Sequence, residues 1–490
     1  MVQYLQMKAV TEYTLYAKRY LLGYLVISAL FVGILSIAAF YVPGALRQGE
    51  MQSALTSGAL SMQSINPESV VNLPYYILQR LSFMGFGVTT LSIKLPSIIL
   101  GVLTAIGIFA LVRTWFRRNV AVIVTTIAIT STQFLFLLQD GTPNILFSFV
   151  AVWLLAASTF VTRNHLFTTF WKVVACVLMA TALYIPLGIY VVLALVITAS
   201  LHPHIRYVIR RVARVRLIIA ILLGLVSVSP LIYAVILKPS VALMLLGIPT
   251  TGLDLPASII TAGQDLFGFF STSNSYQLRP LYPLGLTLLS VIGLYKLLTV
   301  KYTARSYTVL ILGACLTILV AINPAHVTAL YPIAVLMIAM GIATLIVNWY
   351  KLFPRNPYAR VAGLVPIAIF VVGLLFSGIM RYMNNYTYNP NILRYYSTDL
   401  KLLDNTIAKE KGAGKIQLVT TTNELPFYGL VAHYDARFSV GLQPNPEAST
   451  VLLTRKAKEN AQPNLTLNTI VTNQKATNSD RFYIYKTTVK

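Results

Sequence analysis

The sequence predicts a polytopic α-helical membrane protein of about eleven spans, N-terminus inside, with a small extracytoplasmic α/β domain at its C-terminal end. Three observations carry the prediction. Of 490 residues 57% are hydrophobic and only 11% charged, where a soluble domain carries about 25% charged residues. Apolar runs long enough to cross a bilayer recur through the first 379 residues. Near Met380 the composition turns polar, and 8 of the 14 acidic residues follow it. Residues 1–379 therefore read as a transmembrane domain and 380–490 as a soluble one.

The first apolar run, Tyr20 to Tyr41, follows Lys18 and Arg19. It exceeds the roughly 7–15 residues of a signal-peptide core and reads as a retained anchor. Further spans begin near Leu95, Val120, Ile145, Val173, Gly188, Leu217, Leu284, Tyr307, Val327 and Val361. Pro186 makes the Val173 and Gly188 pair ambiguous between two short spans and one kinked or re-entrant segment.

Charge sets the orientation. With the N-terminus inside, 19 of the 24 basic residues before Met380 fall on inner segments. Only Arg47, Arg80, Lys94, Lys238 and Arg279 fall outside, the positive-inside pattern. The basic excess (formal net charge +24) thus reports topology and not nucleic acid. The inner stretch His202–Arg216 reads as an amphipathic segment on anionic lipid. Five of the six acids before Met380 (Glu50, Glu68, Asp140, Asp254 and Asp265) collect on the outer side with those five cations. That places the candidate chemistry at the outer face. The long outer loop, residues 42–94, carries Glu50 and Glu68 and reads as the roof of an active site, since carboxylates near a bilayer are costly. Gly252–Phe270 reads as a mobile outer loop over the cavity.

Cys176 and Cys315 lie in apolar runs without metal-ligand spacing and read as small buried hydrophobes. No phosphate-binding loop G-x-x-x-x-G-K-[ST] and no G-x-S-x-G elbow occurs, which argues against ATP-driven transport and lipase chemistry. No cofactor is required by the sequence; a divalent metal is possible but unsupported. Beyond Met380, Ile392–Lys411 has helical apolar spacing, and KIQLVTT, TVLLTRK, LNTIVTN and RFYIYKT read as strands. Asn385-Tyr-Thr387 and Asn464-Leu-Thr466 fit a glycosylation pattern that is common by chance.

Three blocks resemble the GT-C superfamily of membrane glycosyltransferases, near the protein O-mannosyltransferases and the lipid A aminoarabinose transferases. RQGEMQSALTSGAL (47–60) is similar to the family's acidic DE motif and the short helix after it. In Asn72–Leu111 a Pro, an aromatic helix, an FG turn and a KLPS keep the family's spacing. FLLQDGTPNILFSF (136–149) is similar to its second outer loop. The resemblance implies a sugar moved from a polyprenyl-phosphate donor to a lipid, glycan or protein acceptor, with inversion, at the outer membrane face. It implies Glu50 as catalytic acid–base, in the position of the second acid of the pair, with Gly49 where the first belongs. Asp140 is matched as a second catalytic carboxylate. Lys94 replaces the arginine of the family's RLPS, and Asn72 a residue often charged there.

Substrate binding is expected of Arg47, Asn72, Arg80, Lys94, Lys238, Arg279 and His326. The phosphate falls to the outer cations beside spans, Lys94, Lys238 and Arg279, and His326 stands at a span mouth. Two other classes remain open: a non-catalytic scaffold descended from the enzyme, for which Gly49 speaks, and a lipid or polysaccharide transporter.

Overall fold

A computed structural model describes residues 28–29, 31–33, 36, 42, 44–60, 66–163, 168–210, 214–249, 252, 254–270, 275–300, 303–352, 357–410, 416–445, 448–458, 465–472 and 481–487. The expected first span, most of Tyr20–Tyr41, and Asn464 lie outside them.

The described residues of the loop expected on the outer side form regular elements. Strand β1 (Leu46–Arg47) leads into α1 (Gln48–Gly58), a 3-10 turn (Pro67–Val70) and α2 (Leu73–Phe86). Helix α1 buries Glu50, Ser53, Ala54 and Ser57, one stripe at helical spacing. Its inward side is small and polar, so hydrophobic periodicity does not reveal it.

Every later expected span coincides with a helix. These are α3 (Thr90–Trp115), α4 and α5 (Arg118–Thr130, Thr132–Gln139), α6 (Asn144–Thr162), α7 (Thr168–Leu183) and α8 (Gly188–Leu201). The surface helix α9 (Pro203–Arg210) precedes α10 (Arg214–Leu237), α11 (Ser240–Leu246) and α12 (Leu255–Phe267). Then come α13 (Leu284–Thr299), α14 (Ala304–Ile322), α15 (Tyr331–Leu352) and α16 (Pro357–Tyr388). Among the described residues five helices are long and apolar enough to cross a bilayer, or six with the bent α4–α5 pair, and four apolar helices are shorter. A 16-residue helix spans about 24 Å, short of a ~30 Å hydrocarbon core. The count of eleven and the orientation therefore rest on the sequence alone.

One departure shapes the site. The span expected from Val120 is broken by 60° at Ser131, whose backbone is extended and whose Oγ accepts from Phe134 N. The break tilts α5 inward, and all eight of its residues are buried. At Pro186 the chain turns between two separate helices, with Leu187 at φ 66°. Asp254–Phe270 contains a helix, α12, whose N-terminus Asp254 caps.

The C-terminal part holds α17 (Pro390–Leu393), β2 (Tyr396–Thr398), α18 (Leu400–Lys409), β3 (Ile416–Val419), α19 (Leu425–Tyr434), β4 (Phe438–Gly441), β5 (Thr450–Thr454), β6 (Leu465–Thr472) and β7 (Arg481–Thr487). Where one helix was expected over Ile392–Lys411, Tyr396–Thr398 forms a strand and Asp399 starts α18 by accepting from Leu402 N. The sheet order is β4-β3-β5-β7-β6, with β3 parallel to β4 and β5 and β7 antiparallel to β5 and β6. Alternation along the strands gives it two apolar faces. Val419, Val451, Leu453, Tyr483 and Tyr485 form one. Ile416, Leu418, Leu452, Phe482 and Ile484 form the other, which packs on α18, α19 and the outer loop's Leu46, Ala54, Phe83 and Val88.

The outer loop and the C-terminal sheet thus share one core. Strand β1 also pairs antiparallel with β2, and α16 runs unbroken across residue 380 to Tyr388. Asn385, in that helix, donates its amide to Arg381 O.

Candidate active site

Four of the expected residues converge. Glu50, at the third position of α1, reaches back so that its Oε2 accepts from Arg47 N at 2.8 Å, half of a capping box. Its Oε1 accepts from Gly141 N at 2.8 Å and stands 3.7 Å from Lys94 Nζ. Lys94 also donates to Gln139 Oε1 at 3.0 Å. Arg47 Nη2 donates to Asp140 Oδ1 at 2.7 Å. Asp140 Oδ2 accepts from Thr142 Oγ1 at 2.6 Å and Asn144 Nδ2 at 2.9 Å. Glu50 is 0% exposed, Lys94 and Asp140 1% and Arg47 8%. Two carboxylates and two cations from β1, α1, α3 and the turn after α5 make a buried cluster of zero net charge.

Each side chain is placed by its element. Lys94 lies in the first turns of α3, which Thr89 caps through Ser92 N. The inward tilt of α5 delivers Gln139 and Asp140 at its end. Ser97 Oγ donates to Asp140 O and lies 2.8 Å from Tyr75 Oη. Arg47 Cζ sits over the Tyr276 ring, 3.9 Å from its centroid, and its guanidinium also lies beside Gly49. A Cβ on Gly49 would stand 3.4 Å from Arg47 Nη1 and 3.5 Å from Cζ. A side chain there fits at ordinary contact, against the guanidinium.

Charge follows burial. Burial alone would lower the Arg47 pKa, but Asp140, with smaller help from Tyr396, Tyr276 and Glu50, holds it above its ordinary value. The guanidinium stays charged at every working pH. Burial pushes the Tyr75 and Tyr396 phenols well up, so they act here as neutral hydrogen-bonding groups. Arg47 Nε is buried without a hydrogen-bond partner among the described residues.

The remaining expected residues make no hydrogen bond or ion pair to these four among the described residues. Asn72 starts α2 in the left-handed region (φ 61°) and donates its backbone N–H to Tyr184 O at 2.7 Å. Arg80 is half-buried on α2. Lys238 meets Glu68 in an exposed pair at 2.5 Å, and Arg279 holds Asp265 at 2.5 Å while donating to Gln264. His326 is partly buried on a 3-10 turn, Pro324–Leu330.

Gln79 is the residue that sequence reasoning missed. It is fully buried. Its Oε1 accepts from Ser53 and Ser57 at 3.0 and 2.6 Å, and its Nε2 donates to Ile93 O and Gly141 O at 2.9 and 3.2 Å. Carbonyls only accept, so the amide has one fitting orientation. Gln79 ties α1, α2 and α3 to the turn that holds Glu50. The signal was a glutamine inside an apolar aromatic helix.

Residues 73–233 match the family of dolichyl-phosphate-mannose-protein mannosyltransferase. The chain superposes on the ArnT of Cupriavidus metallidurans bound to undecaprenyl phosphate with a TM-score of 0.53 at 14% identity, covering 95% of this chain and 98% of that one. The chain carries the GT-C fold. The resemblance read from the sequence is borne out to that extent. The oligosaccharyltransferase of Archaeoglobus fulgidus, tethered to an acceptor peptide, matches with a TM-score of 0.52 at 12% identity, over 86% of this chain and 64% of that one. No curated protein matches by sequence. The GT-C match takes in both the helical membrane part and most of the C-terminal region.

Proposed function

We propose that the protein is a membrane glycosyltransferase that takes a sugar from a polyprenyl phosphate and passes it to an acceptor hydroxyl or amine at the outer membrane face. The carrying observation is the convergence of Glu50 and Asp140, from the first and second outer loops, on Arg47 and Lys94. Four ionisable side chains buried together are costly to desolvate as charges, and such clusters gather at functional sites. The undecaprenyl phosphate of the structurally similar ArnT supports a lipid-phosphate donor of this class.

In this reading a carboxylate takes the acceptor's proton as the acceptor attacks the anomeric carbon. The sugar–phosphate bond breaks and the charge remains on the lipid phosphate, offset by outer cations. Asp140 and Glu50 are the two candidate bases. Lys238 and Arg279, both paired with acids in the free protein, are the candidate phosphate partners. The eleven spans, the inside N-terminus and the extracytoplasmic sheet complete the proposal.

The test is transfer from a panel of polyprenyl-phosphate sugars in proteoliposomes. Asp140→Asn or Glu50→Gln should lower the rate per folded protein about 10²–10⁴-fold, the usual cost of losing a positioned base. Full activity in both variants rejects the assignment.

A specific observation favours a second reading, a GT-C-fold scaffold without transfer. Both carboxylates are fully enclosed and bonded, and Gly49 stands where the family motif has an acid. No transfer by the unmodified chain with any donor, and transfer gained in Gly49→Asp, supports that reading.

A further inference from the structure

The end of α3 remote from Lys94 brings three helices and two arginines together. Helix α3 runs 26 residues to Trp115, about 39 Å at 1.5 Å per residue, longer than a ~30 Å hydrocarbon core. Its far end therefore reaches headgroup level. There Trp115 Nε1 donates to Thr159 Oγ1 at 3.0 Å, in the last turn of α6, and Arg163 is the C-cap of that helix. From the first turn of α14, Arg305 Nη1 donates to Trp115 O, and its Cζ stands 5.5 Å from the Phe116 ring centroid. Arg163 is near enough for its charge to act on Arg305.

Neither arginine has an acid. Arg305 and Arg163 make no ion pair among the described residues. Glu50 and Asp140 pair at the other end of α3, Glu68 and Asp265 take Lys238 and Arg279, and Asp254 caps α12. Arg305 also stands at a helix N-terminus, where the dipole disfavours a cation. Its bond to Trp115 O uses Nη1 alone. Nε and Nη2 bond to nothing among the described residues, and neither is sealed from its surroundings. These two N–H groups form one edge of the guanidinium. Arg437 grips Asp435 with that same edge, Nε to Oδ1 at 2.8 Å and Nη2 to Oδ2 at 2.7 Å. A phosphate offers the same two oxygens. By the charge pattern this end faces inward, where basic groups clustered at helix ends take anionic lipid headgroups.

We infer that Arg305 and Arg163 hold the phosphate of an anionic phospholipid, at the end of α3 opposite the buried Glu50–Lys94 cluster. The Nε–Nη2 edge of Arg305 takes two phosphate oxygens, and Arg163 adds the second charge. This assignment is independent of whether the chain transfers sugar.

Native mass spectrometry of the full chain tests it, with phosphatidylglycerol and phosphatidylcholine supplied in equal amounts in detergent. The unmodified protein should retain phosphatidylglycerol in preference. Arg163→Gln should lower that preference several-fold. It is the deciding variant, because Arg305→Gln, expected to do the same, also loses the bond to Trp115 O. Lys351→Gln removes an equal charge from the last turn of α15 and should leave the preference unchanged. An unchanged preference in Arg163→Gln, or an equal loss in Lys351→Gln, overturns the inference. Thermal unfolding separates the two sources of phosphate. Phosphatidylglycerol should raise the melting temperature of the unmodified protein more than that of Arg163→Gln, and inorganic phosphate at matched ionic strength should raise neither. Protection by inorganic phosphate equal to that by phosphatidylglycerol would give the site to a soluble anion and contradict the lipid.

Discussion

Lys94 is the residue on which the buried cluster turns. It is the cation beside Glu50, and it sits in the interior with Gln139 as its other partner. Removing one member of a buried pair leaves the other charge uncompensated, at about 3–5 kcal/mol. Lys94→Met should therefore lower thermal stability sharply. The double variant Lys94→Met/Glu50→Gln, which removes both charges, should recover much of that loss. A cycle in which the two changes simply add would show that the pair is not coupled. Arg47 behaves differently, because Asp140 and the Tyr276 ring hold it from two sides. Arg47→Lys keeps the charge but loses the guanidinium over the Tyr276 ring, so it should destabilise although it is nominally conservative. Glu50, Asp140, Arg47 and Lys94 were each legible as scarce charges in an oily chain. Their mutual pairing was not, because it depends on the bend at Ser131, and the polar stretch Thr130–Gln133 is short enough to read as part of one continuous span.

At the scale of elements, α1 is held by close approach and by Gln79. A Cβ on Gly58 would meet Leu430 Cδ1 at 2.5 Å, so α1 and α19 touch where only glycine fits without a shift. Gly58→Val should loosen the outer loop from the C-terminal domain, read as faster proteolysis near residues 60–66, while Gly85→Ala, with nothing near its Cβ, should be silent. Gln79→Leu fills the same space but leaves two carbonyls and two hydroxyls without their partner. Unsatisfied buried groups cost about 1–3 kcal/mol each, so this variant should be worse than Gln79→Glu in thermal stability at acidic pH, where a neutral carboxyl retains donor and acceptor. Equal melting of the two at low pH would deny Gln79 its bridging role. Most apolar runs were legible in the sequence as helices, as were four strands; the run from Val120 is broken at Ser131, and Ile392–Lys411 holds a strand. Helix α1 was expected only through the family resemblance, and strand β4 and the β1–β2 pairing were not expected, since short polar elements are fixed by tertiary partners more than by their own pattern.

On the scale of the whole molecule, the membrane part and the C-terminal sheet are one structure at their junction. Leu46, Ala54, Phe83 and Val88 share a core with Leu403, Phe427, Leu452 and Phe482, and Tyr382 donates to Val42 O at 3.0 Å. A chain ending after Tyr388 should therefore lose the order of the outer loop, visible as new cleavage between residues 44 and 60, and not merely a detachable domain. An intact loop in that truncation would make the sheet a passenger. The boundary drawn at residue 380 from composition marks where polarity rises. It does not mark where packing separates, because hydrophobic content along the chain is blind to which distant segments share a core.

The most direct test of the transferase reading is a single-turnover assay in proteoliposomes, with radiolabelled polyprenyl-phosphate sugars of several kinds and crude envelope acceptors. The account predicts label leaving the lipid with the unmodified protein, with at least one donor, and loss of that transfer in Asp140→Asn at equal amounts of folded protein. Label that stays on the lipid with every donor, or transfer that survives in both Asp140→Asn and Glu50→Gln, would contradict it.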